Sequence, residues 1–167
     1  MAQSVPIPAA EPTVPALPEP TASGAAQPAL PKVIFLDVDG VLVTSRGLAG
    51  EDSTRRTGAR LVLSSTWRDE AQCPGYLGAL RAALAHAGVG GALLGCTPTA
   101  GHASRGAEIL AWLRDNPHHR RFAILEDSPR HVASFAALPA LRARYVQTDA
   151  REGLTEELAE AVANILA

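Results

Sequence analysis

Cysteine is scarce in this chain, and lysine almost absent. Two cysteines, Cys73 and Cys96, form no CxxC pair, which argues against a disulfide framework and against a cysteine-based zinc site. Of the 15 basic residues only Lys32 is a lysine, and the rest are arginine. The formal charge of -2 removes any reason to expect non-specific binding to nucleic acid or to an anionic membrane. No apolar run approaches the roughly eighteen residues of a membrane span. The N-terminus lacks the basic start and apolar core of a secretory signal. These absences lead to the expectation of a soluble, cytoplasmic protein.

The 167 residues suit one domain of ordinary size, and 47% apolar residues are enough for a real core. Residues 1–31 stand apart: eight are proline, and most of the others are Ala, Ser, Thr, Glu and Gln. Proline at that spacing blocks helices and sheet ladders, and too little apolar surface is present to offset the entropy of ordering. The segment reads as a disordered tail, with a ligand for a proline-binding partner as the alternative. The folded domain is expected over residues 32–167.

That domain opens on Lys32-Val33-Ile34-Phe35-Leu36-Asp37-Val38-Asp39-Gly40-Val41-Leu42. The apolar residues do not alternate with polar ones, which predicts a strand covered on both faces in a parallel sheet. Asp37 and Asp39 fall just past its carboxyl end, where open α/β sheets bind their ligands. Gly40 lets the chain turn away there, because glycine alone adopts φ > 0 without penalty. Two carboxylates that close are costly unless a cation lies between them or one is protonated.

Further along, Arg60 to Arg68 predicts a second short buried strand, which ends in the hydroxyl residues Ser64, Ser65 and Thr66 before Trp67 and Arg68. Leu77, Leu80 and Leu84 recur at helical spacing from Tyr76 to Ala87, with Gly88 as the stop. Residues around Leu93 predict a third strand. Ser104 is placed to cap a helix from Arg105 to Asp115, with Ile109, Trp112 and Leu113 on its apolar face. Arg121 to Asp127 repeats the opening pattern, an apolar strand running into Glu126 and Asp127. A short helix through Val132 and Phe135, a fifth strand at Arg144 to Gln147 and a last helix after Thr155 complete the pattern. Strands alternating with helices predict a doubly wound, mainly parallel, five-stranded sheet.

All parallel strands present their carboxyl ends at one edge of such a sheet. Asp37, Asp39, Ser64, Ser65, Glu126 and Asp127 are therefore expected around one crevice. Four carboxylates with hydroxyl donors, and no cysteine or histidine pattern, suit an oxygen-ligated ion such as Mg²⁺. Ser64 and Ser65 have an alternative use as caps of the following turn, and Trp67 and Trp112 read as packing residues. His86, His102 and His131 show no ligand spacing, and His118 and His119 read as a solvated loop.

These residues resemble the haloacid dehalogenase (HAD) superfamily of phosphatases. Asp37-Val38-Asp39-Gly40-Val41-Leu42 is similar to its first motif, Leu61 to Ser64 to its second, and Ile124 to Asp127 to its fourth. Three further strings resemble a small capless subgroup associated with Swiss Army knife RNA repair proteins. They are Ser64 to Arg68, Arg105-Gly106-x-Glu108-Ile109, and Val146 to Asp149 continuing through Gly153-Leu154-Thr155.

The resemblance implies a HAD-like Rossmannoid domain without a sizeable cap, and Mg²⁺-dependent phosphomonoester hydrolysis through an aspartyl-phosphate. It implies Asp37 as nucleophile and Asp39 as acid/base, with Gly40 opening the loop. Ser64, Ser65, Arg105 and Gly40 would hold phosphate. Asp37, the Asp39 backbone carbonyl and the acids of the fourth motif would hold Mg²⁺, Asp127 directly and Glu126 behind it. The family's third motif is usually a lysine; Arg105 takes that place here, keeping the charge on a planar fork. The segment Val43 to Arg60, 18 residues long, is shorter than the subgroup's usual helical stretch. A substrate with a large phosphorylated surface, such as a nucleic-acid end, fits a capless site. The rival reading is a phosphate- or protein-binding module of the same fold.

Overall fold

A computed structural model of the chain describes residues 30–44, 47–48, 57–99 and 104–167. The expected tail lies outside the described residues, apart from Leu30 and Pro31, which are exposed.

The strands in chain order are β1 (Lys32–Leu36), β2 (Val43–Thr44), β3 (Gly47–Leu48), β4 (Arg60–Leu63), β5 (Leu93–Cys96), β6 (Arg121–Glu126) and β7 (Tyr145–Gln147). Five of them form one parallel sheet in the order β5-β4-β1-β6-β7. In register, Phe35 of β1 lies between Val62 of β4 and Ile124 of β6. The chain first steps outward from β1 through β4 to β5, then returns to the other side of β1 for β6 and β7. The strand order thus reverses beside β1, and a crevice opens at the carboxyl ends where it does. β2 and β3 pair antiparallel, away from this sheet. They occupy part of the short segment after the first motif; residues 45–46 and 49–56 of it lie outside the described residues.

Four helices accompany the sheet among the described residues: α1 (Tyr76–His86), α2 (Arg105–Asp115), α3 (Pro129–Ala136) and α4 (Glu156–Ile165). Their ends follow the local chemistry. Ser104 accepts from Ala107 N and Thr155 from Leu158 N, each satisfying a first-turn donor of the helix it precedes. Pro129 starts α3 at a position where no backbone donor is needed. α1 gives way at Gly88, which has φ 75°, so the left-handed turn falls on a residue without a Cβ.

Successive residues of a strand face opposite ways, and β1 divides its apolar residues between two cores. Ile34 and Leu36 pack with Leu80 and Leu84 of α1 and Val162 of α4. Val33 and Phe35 pack with Ile109 and Trp112 of α2 and Phe135 of α3. Phe35 meets Trp112 and Phe122 edge to face, with centroids 5.4 and 5.8 Å away. Burying a ring of that size contributes about 2 kcal/mol. The unalternating run of β1 is thus apolar because neither face sees water.

Candidate functional site

β1, β4 and β6 are adjacent and in register, and their carboxyl ends bring the expected residues together. Asp37 directly follows β1, Ser64 directly follows β4, and Glu126 ends β6 with Asp127 after it. Backbone bonds extend the ladder one step beyond the strands, Asp37 N to Leu125 O (3.0 Å) and Ser64 N to Leu36 O (2.8 Å). The first residues of the loops are held as firmly as the sheet.

Asp37, Glu126 and Asp127 each offer a carboxylate oxygen, and these atoms all lie within 4.8 Å of one another. Asp37 and Glu126 are buried and Asp127 is half-buried. Burial, then the charge of Glu126, pushes Asp37 up to about 7, against the opposing pull of Arg105 and a hydrogen bond from Ser65. Burial pushes Glu126 up to about 7 as well, opposed by a bond from Ser128 N. Three acids in this space are short of positive charge, so the donor set fits a hard divalent cation.

Gly40 makes the cluster possible in two ways. Its φ is 69°, and a Cβ there would come within 2.3 Å of Asp127 Oδ2. Its loop is held from the C-terminal side: Thr148 Oγ1 donates to Gly40 O (2.8 Å) and Leu154 N to Val41 O (3.0 Å). The string Val146 to Thr155 therefore fastens the first motif's turn.

Ser64 is buried, and its Oγ has no hydrogen-bond partner among the described residues. The same holds for Arg105 NH1, which lies 3.9 Å from Asp37 Oδ1, an ion pair beyond hydrogen-bond reach. A buried donor without a partner costs stability. Two such donors beside a carboxylate cluster would be satisfied by an oxyanion. Ser65 serves as the cap of the turn Thr66–Arg68, its hydroxyl accepting from Trp67 N.

Asp39 stands apart. Its side chain is exposed, its carboxylate is not in the three-acid group, and Oδ2 accepts from Trp67 Nε1 at 2.9 Å. The four acids expected around the crevice therefore separate into three that converge and one tied to an indole.

Several contacts here are not revealed by the sequence pattern. Trp67 reads as packing, whereas its N–H also bonds to Asp39. Glu108 was only part of a family string, yet its Oε2 lies 2.8 Å from Arg68 NH2 and 3.4 Å from Arg105 Nε. Arg68 NH1 also donates to Ser65 O (2.6 Å), so one acid and one arginine tie α2 to the serine turn. His131, without ligand spacing, brings Nδ1 within 3.1 Å of Glu126 Oε2. Burial, then the charge of Arg105, lowers its pKa. Only the strings Ser64 to Arg68 and Arg105 to Glu108 carried a signal for any of these contacts. Trp112, by contrast, is core, as its helical spacing predicted.

A family model described as the HAD domain in Swiss Army Knife RNA repair proteins matches residues 33–159. Among curated proteins and among solved structures, nothing matches the chain. No helix of the described residues is long and apolar enough to cross a membrane.

Proposed function

The chain belongs to the family of HAD domains found in Swiss Army Knife RNA repair proteins, and from that premise we propose that it is a Mg²⁺-dependent phosphomonoester hydrolase working through an aspartyl-phosphate. One observation carries the reading: two buried donors without a hydrogen bond, Ser64 Oγ and Arg105 NH1, beside a cluster of three carboxylates at the carboxyl edge of the sheet.

In this reading an Asp37 oxygen attacks phosphorus in line with the ester oxygen. The P–O bond to the leaving group breaks as the bond to Asp37 forms. Asp39 gives its proton to the departing oxygen. It then takes a proton from the water that attacks the aspartyl-phosphate, which releases inorganic phosphate and restores Asp37. Ser64 and Arg105 donate to the non-bridging oxygens, where charge is concentrated in the transition state. Asp37, Asp127 and Glu126 would hold the Mg²⁺, whose charge would keep Asp37 ionised near neutral pH and offset that of the phosphoryl group.

The substrate we propose is a large phosphorylated molecule, with a nucleic-acid end as the leading case. The segment after the first motif is too short for a sizeable cap, Asp39 is exposed, and the family is named for RNA repair proteins. Substrate would be held by its phosphate, since the net charge of -2 supplies no long-range attraction to a polyanion.

Asp37→Asn should abolish Mg²⁺-dependent hydrolysis of 4-nitrophenyl phosphate and leave the circular dichroism spectrum unchanged. Retained turnover in that variant would remove Asp37 as nucleophile. A wild-type chain that binds phosphate without any turnover would favour the binding-module reading instead.

A further inference from the structure

We propose that Trp67 is a positioning residue for proton transfer, holding the Asp39 carboxylate apart from the three metal-capable acids and aimed at the leaving group. The proposal rests on the hydrolase reading above and extends it to a residue outside the reacting atoms.

Asp39 lies only two residues beyond Asp37, in a turn with three other carboxylates near it. An acid that joined the cluster would give its oxygens to the cation and could not carry a proton. The indole prevents this. Trp67 Nε1 donates to Oδ2 at 2.9 Å, leaving Oδ1 as the oxygen available to exchange a proton. Indole nitrogen is a donor only, so the bond has one polarity and cannot itself take the proton.

Trp67 is itself held. Its backbone N–H bonds to Ser65 Oγ in the Thr66–Arg68 turn, and its ring packs edge-on against Tyr76, with centroids 4.8 Å apart. The serine turn therefore sets Asp39 through the indole.

The variant Trp67→Phe keeps a ring against Tyr76 and removes the N–H. Its kcat/KM, which reports transfer to Asp37, is compared with wild type on two esters. The 4-nitrophenolate group departs without a proton, whereas the alkoxide of ethyl phosphate needs one. The loss should be about tenfold larger for ethyl phosphate, less than the roughly 100-fold or more that a positioned acid supplies, because Asp39 itself remains. Equal losses on the two esters, or none, would overturn the role while leaving the hydrolase reading intact. A wild-type chain inactive on both esters would overturn that reading and this one together.

A second measurement needs no change at Trp67. In ¹⁵N-labelled chain the two tryptophans give two indole N–H signals. Asp39→Asn should shift the signal of Trp67 and leave that of Trp112 in place. An unmoved Trp67 signal would overturn the contact on which the role depends.

Discussion

Asp37 and Glu126 carry the clearest electrostatic consequence of the fold. Their ordinary values are 3.8 and 4.5, and burial first of all pushes both to about 7 without a cation. Between those limits the folded chain binds more protons than the unfolded chain, so stability falls with rising pH across that window. The contribution is full below about pH 4 and lost as pH passes about 7. Asp37→Asn removes one of the two groups. In chelator, the melting temperature of this variant relative to wild type should therefore climb between about pH 5 and about pH 8. Mg²⁺ should raise the wild-type melting temperature more at the higher pH, because a cation binds the ionised acids. Thermal unfolding at both pH values, with and without Mg²⁺, checks both statements. A variant-minus-wild-type difference that stays flat would contradict the burial argument. At this scale the acids and Gly40 were legible, because strand-end carboxylates and a glycine after them have few other uses. The hydrogen bond from Trp67 to Asp39 was not: its partners are 28 residues apart and meet only when β1 and β4 pair.

At the scale of elements, the strands and helices followed their local signals closely. Apolar runs became β1, β4 and β6, and Ser104 and Thr155 cap the helices they precede. What periodicity did not reveal is how the elements are joined at their polar ends. Glu108 lies on the face of α2 that meets the serine turn, between two nearly buried guanidinium groups, those of Arg68 and Arg105. Removing the charge of one buried partner leaves the others uncompensated. Glu108→Gln should destabilise the chain by about 3 kcal/mol in urea unfolding, the scale of a broken buried ion pair. It should also weaken phosphate binding, since Arg105 loses the partner that orients its fork. A cost below about 1 kcal/mol would place the pair with solvent-screened surface bridges instead. At Gly106 a Cβ would meet the side chains of Leu138, Ser134 and Leu141 at 2.7 to 3.4 Å, so any larger residue there must displace them.

Over the whole molecule, two cores lie on either side of the sheet, and the candidate site residues gather at its carboxyl edge. The family assignment and the parallel five-stranded sheet were legible because an unalternating strand ending in Asp-x-Asp-Gly has a narrow meaning. The segment Val43 to Arg60 was less so. Eighteen residues of mixed composition gave no helical period, and the described part holds the β2–β3 pair. The most direct test of the whole account is covalent: the chain is mixed with a phosphomonoester and Mg²⁺, quenched in acid, and its peptides are weighed. The account predicts one phosphoryl group on the peptide containing Asp37, present in wild type and absent in Asp37→Asn. A turning-over enzyme with no such phosphopeptide, or with the group on another residue, would contradict it.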